Sequence, residues 1–104
     1  MALATLATLA VERRIQAALA ELDCPASVFA AISDVTGTKL TLAFNGSRPL
    51  TNEEGRRLEA VVNEMRELAQ EHAPVPVSFR NASLIKPILE ERRAAGKTTQ
   101  EAAQ

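Results

Sequence analysis

The sequence predicts a single α/β (α+β) domain in which helices pack on a small mixed three-stranded sheet, in the order α-β-β-α-β-α. Three observations lead there. The 104 residues with 46% hydrophobic and 24% charged content suit one compact domain. Two stretches, 2–22 and 51–72, carry apolar residues at helical spacing. Between and after them lie short apolar runs with alternation or turn-forming borders, as strands have.

The first helix is expected over 2–22, where Leu3, Ala7, Val11, Ile15, Ala18 and Leu22 share one side. Asp23-Cys24-Pro25 stops it, because proline lacks an N–H and disfavours helical geometry before it. Leu6 and Leu9 fall outside the stripe, so the opening turns are apolar nearly all round and call for a covering surface.

Two strands are expected next. Ser27 to Ser33 carries Val28, Phe29 and Ile32; Lys39 to Asn45 alternates Leu40, Leu42 and Phe44 with Lys39, Thr41 and Ala43. Residues 34–38 are short, polar and include Gly37, which suggests an antiparallel hairpin. Asn45 to Pro49 breaks the second strand, and Thr51 stands three residues before Glu54, the spacing of a capping box. The helix it opens carries Leu58, Val61, Val62, Met65 and Leu68 on one face and ends before Pro74. Val75, Val77 and Phe79 alternate as a third strand, with Pro76 placing it at an edge. A short last helix is expected to about Ala95, with Ser83 as cap, Pro87 near its start and Gly96 past its end. The domain is thus expected over 1–96, followed by a disordered polar tail at 97–104.

Composition narrows function. The formal charge of −1 provides no overall field for a phosphate backbone or an anionic membrane, and three Phe without Trp or Tyr provide few stacking platforms. One Cys and one His cannot build a zinc site or a disulfide framework, so no metal and no cofactor are expected. Residues 1–11 lack the preceding basic residues of an export signal, and no run reaches the roughly 20 apolar residues of a membrane span. With a free thiol expected at Cys24, the reading is a cytoplasmic protein with no membrane partner.

The chemistry-bearing residues are sparse. Cys24 and His72 form the only candidate nucleophile and base for an enzyme reading, and His72 in a last helical turn suits carbonyl capping. Adjacent acidic pairs Glu53-Glu54 and Glu90-Glu91 point in different directions on a helix. Arg80, Lys86, Arg92 and Arg93, with Lys97, give five cations against two carboxylates over 80–97, a basic patch for an acidic partner or RNA. Gly46, Arg48, Thr51 and Asn52 surround a strand end and a helix start, where free N–H groups point outward.

The text KLTLAFNG, then PLTNEEGRRLEAVVNEM, then VPVSFRNASLIKPILEERRAAG, over 39–96, resembles the central part of a STAS domain, the fold of anti-sigma-factor antagonists. The resemblance implies a regulatory module whose helix start can be phosphorylated. Here Thr51-Asn52-Glu53-Glu54 fills that place, without the family's Asp-Ser-Ser/Thr-Gly string. The segment APVPVSFRNASLI, with the order helix, hairpin, helix, strand, is similar to a type II KH domain of the ribosome-binding factor A family, which implies RNA binding.

The function expected from the sequence is therefore a small non-enzymatic regulatory or adaptor module. It binds another protein and self-associates as a homo-oligomer through Leu6 and Leu9, with partner contacts at Gly46, Arg48, Thr51 and Asn52. A KH-like RNA-binding or ribosome-associated factor using the basic patch, and a small enzyme using Cys24 and His72, are the alternatives.

Overall fold

The computed structural model describes residues 10–96. Five helices make up their regular structure: α1 (Val11–Glu21), α2 (Ala26–Ser33), α3 (Gly37–Phe44), α4 (Asn52–Glu71) and α5 (Ala82–Ala94). No strand is present among the described residues, so the α/β class, the hairpin and the three-stranded sheet are corrected to an all-helical domain.

The two expected hairpin strands are α2 and α3, and burial explains why. In α2 the buried set is Phe29, Ala30, Ile32 and Ser33, which follows a helical turn and not alternate residues. In α3 Leu40 and Ala43 are buried, three apart, while Leu42 and Phe44 are half-buried. Thr36 starts α3 by accepting a hydrogen bond from the Lys39 N–H at 3.1 Å, an N-cap that a hairpin loop does not need. The expected third strand, Val75 to Phe79, is irregular and forms no ladder; Phe79 plugs the core while Val75 is exposed.

α4 lies where periodicity places it, whereas the helix expected over 2–22 begins at Val11, after Ala10 in an extended conformation (φ −58°, ψ 150°); residues 2–9 lie outside the described residues. α1 buries Ile15, Ala18 and Leu19, and the chain turns by 110° through Asp23 to Pro25 into α2. α4 opens with both halves of the capping box between Thr51 and Glu54 and buries Leu58, Val61, Val62, Met65 and Leu68. α5 starts two residues earlier than a Ser83 cap requires: Asn81 is the cap, accepting from the Ser83 N–H. The core joins all five helices around Phe29, Leu40, Leu58, Met65, Phe79 and Leu89. Leu6 and Leu9, and the tail expected at 97–104, lie outside the described residues.

α1 and α4 approach closely at Gly55, where an added Cβ would stand 3.1 Å from Val11 Cγ1. Arg14 and Glu59 bridge the same pair of helices at 2.8 Å, and Glu12 accepts a 2.7 Å hydrogen bond from the Leu50 N–H, tying the loop before α4 to α1. Arg57 of α4 donates to the Ser33 carbonyl at 2.8 Å, satisfying a free acceptor at the end of α2. No single helix among the described residues is long and apolar enough to cross a membrane.

Candidate functional site: the turn between α2 and α3

The α2 and α3 segments form two eight-residue helices joined by three residues, Asp34-Val35-Thr36. Asp34 opens the turn with φ 58°, ψ 41°, the left-handed conformation that halts α2 and redirects the chain. Its N–H and that of Val35 return to the Ala31 and Ala30 carbonyls, closing the end of α2. Val35 is half-buried against the core, whereas Thr36, Gly37 and Thr38 are exposed. Phe29 and Leu40, both almost fully buried, lock the two helices inside the domain. Leu40 and Ala43 thus hold α3 to the core by one side and leave its other side at the surface.

That outward face is a stripe. Thr38, Thr41, Leu42 and Asn45 follow one another at three, one and three residues, one side of a helix; all but half-buried Leu42 are exposed. Behind α3 the chain folds back: the Leu42 carbonyl accepts from the Ser47 and Arg48 N–H groups at 3.0 and 3.1 Å, and Asn45 Oδ1 accepts from the Ser47 N–H at 2.9 Å. These bonds set Arg48 beside α3. It shares a cleft of about 340 Å³ with Thr38, Lys39, Leu42, Thr51 and Glu54.

The cleft beside this face holds charge of both signs, Lys39 and Arg48 with Glu54. From Thr36 to Asn52 the chain carries Lys39 and Arg48 and no carboxylate. Lys39 pairs with Glu54, and that ammonium, followed by the Thr51 N–H, holds the Glu54 carboxyl below its ordinary value of 4.5. Arg48 is exposed and forms no ion pair with a described residue.

The expected partner loop, Gly46, Arg48, Thr51 and Asn52, adjoins this face directly. Thr51 is occupied as helix cap, while Arg48 and Asn52 are exposed. The expected basic patch is engaged within the domain. Arg80 pairs with Asp23 and Lys86 with Asp34; buried Arg92 pairs with Glu71 and Glu67; Arg93 makes two hydrogen bonds to buried Glu64, at 2.6 and 2.8 Å. Its charges are thus largely met by the protein's own carboxylates. Cys24 is buried; desolvation, with Asp23 nearby, pushes its thiol up to about 11, opposite to the shift of an activated nucleophile. His72 is the exposed C-cap residue of α4, and its N–H returns to the Leu68 carbonyl. No group of three or more His, Cys, Asp or Glu side chains suited to a metal gathers among the described residues.

The α3 stripe itself escaped the sequence reading. Its signal was the eight-three-eight rhythm with Thr36 as a cap and small Ala30 and Ala43 where the helices bury their backbones. No protein family, curated protein or solved structure matches the chain.

Proposed function

We propose that this chain is a duplex-DNA-binding module of the helix-turn-helix class, with α3 as the helix that enters the major groove. The observation that carries it is the three-residue turn from α2 into α3 together with the outward stripe Thr38, Thr41, Leu42 and Asn45, flanked by exposed Arg48. At about 1.5 Å per residue α3 is about 12 Å long and meets about four base pairs, the reach of one half-site. Arg48, on the loop folded against α3, is placed for the phosphate backbone beside the groove, and exposed Arg13 of α1 shares with Gly46 and Pro49 a groove on the other side of that loop. The regulatory, non-enzymatic character expected from the sequence fits this role, and the self-association expected there would set two α3 helices on two half-sites.

The cations are few, so the affinity of one copy is low and salt-sensitive. Fluorescence anisotropy with a labelled mixed-sequence duplex, repeated across a salt series, tests the proposal. Binding that weakens steadily with salt, and Arg48→Ala lowering the slope of log affinity against log salt by about 1, are the expected results. Equal or tighter binding of a single-stranded RNA of the same length would favour the RNA alternative, and no binding of either would return the α3 face to a protein partner.

A further inference from the structure

Resting on the duplex-DNA reading above, we infer that α3 selects its site by the C5-methyl groups of thymine, with Thr38, Thr41 and Leu42 as the specificity-determining residues. The inference comes from what the groove face offers and what it lacks. Reading guanine by hydrogen bonds takes a bidentate Arg or Lys on the groove face. The stripe has neither: Lys39, the one cation of α3, stands off the stripe and is drawn to Glu54 at the start of α4. Reading cytosine takes a carboxylate; none stands on the stripe, and Glu54, which reaches the adjoining cleft from α4, is taken up by Lys39 and the Thr51 N–H.

Reading adenine takes an Asn or Gln whose amide is free at both ends. Asn45 is the only such side chain on the stripe, and the 2.9 Å hydrogen bond from the Ser47 N–H to its Oδ1 holds the amide against its own loop. What remains outward is a hydroxyl and a methyl from each threonine and the edge of Leu42. Hydroxyls serve any base, so discrimination falls to the methyls, which pack against the one apolar group that the major groove displays, the thymine methyl. Apolar contact of this kind has no need of charge, which suits a chain whose net charge is −1.

The test is selection from a duplex library with a randomised core, followed by affinity measurement on the enriched duplex with each core thymine replaced in turn by deoxyuridine, which removes only the methyl. The expected result is a core rich in A·T pairs and a loss of about fourfold for each contacted methyl. Thr41→Ser, which removes a methyl and keeps the hydroxyl, is expected to weaken the thymine duplex and leave the matching deoxyuridine duplex unchanged, so the two changes are not additive. Thr41 is exposed, so the helices are expected to persist in the variant, which its circular dichroism checks. An enriched core rich in G·C, or affinity indifferent to every deoxyuridine, overturns the thymine inference and leaves duplex binding standing. A library that yields no enrichment and no binding overturns the duplex reading itself.

Discussion

Lys86 of α5 reaches across to Asp34, the left-handed residue that opens the turn from α2 to α3, with Nζ 2.6 Å from Oδ1. The bond draws the Asp34 carboxyl below its ordinary value and raises the Lys86 ammonium. It also directs that cation of α5 to the joint that aims α3.

Asp34 is thus held by backbone shape more than by charge, since an exposed pair contributes little. Asp34→Gly is expected to keep or raise the melting temperature, because glycine adopts this φ without strain. Asp34→Val is expected to lower it clearly, as a β-branched residue does not tolerate φ 58°. Lys86→Met should leave it nearly unchanged. Differential scanning calorimetry of the three variants checks the order.

Gly55 fixes how closely α4 lies on α1. Gly55→Leu drives a side chain into Val11, whose two methyls stand 3.1 and 3.2 Å from the site of an added Cβ. The expected loss is about 1–3 kcal/mol in urea unfolding. Pairing Gly55→Ala with Val11→Ala removes the clash and adds helix propensity, so the double variant is expected to lose less than Gly55→Leu.

Arg93→Met leaves the Glu64 carboxylate, 4% exposed, without the guanidinium that satisfies both its oxygens. Removing one partner of a buried pair usually costs about 3–5 kcal/mol; with the Arg93 side chain 39% exposed, about 2 kcal/mol is expected. Replacing both residues, as Glu64→Leu with Arg93→Met, should recover much of that loss.

Glu54 links stability to pH. Its carboxyl titrates lower in the folded chain than its ordinary value of 4.5, because of Lys39 first and the Thr51 N–H next. A depressed folded value stabilises the fold above the unfolded value, and that contribution disappears as the pH falls through the folded one. The melting temperature should fall as the pH drops below about 4.5, and Glu54→Gln should flatten the fall in that window. The same variant frees Lys39, so at neutral pH it is expected to tighten duplex binding and steepen its salt dependence.

α4 was legible in the sequence because its stripe runs for many turns and it carries its own start signal in Thr51 and Glu54; of α1 only the body and the stop at Asp23 to Pro25 were, since the apolar run continues through Ala10, just before the described helix begins. α2 and α3 were not. Seven or eight residues with Val28, Ile32, Thr38 and Thr41 satisfy strand and helix patterns alike, and Leu40, Leu42 and Phe44 alternate although only Leu40 is fully buried. The segments expected as strands at 27–33 and 39–45 overlap α2 and α3, although α3 begins two residues before the second and ends one before its close. The basic run at 80–97 looked like a surface for a partner because its carboxylates, Asp23, Asp34, Glu64 and Glu71, are distant in sequence and come beside it only on folding. The turn at Asn45 to Pro49 was legible from its turn-forming residues, while the α3 face beside it needed the helix to be seen.

The most direct measurement is a ¹H–¹⁵N titration of the full chain with the duplex enriched by selection. The account predicts shifts concentrated at Thr38, Thr41, Leu42, Asn45 and Arg48, with α5 and the α1–α4 contact at Gly55 unmoved. Shifts confined to α5, or a spectrum unchanged by duplex at low salt, would contradict the claim that α3 is a DNA-reading helix.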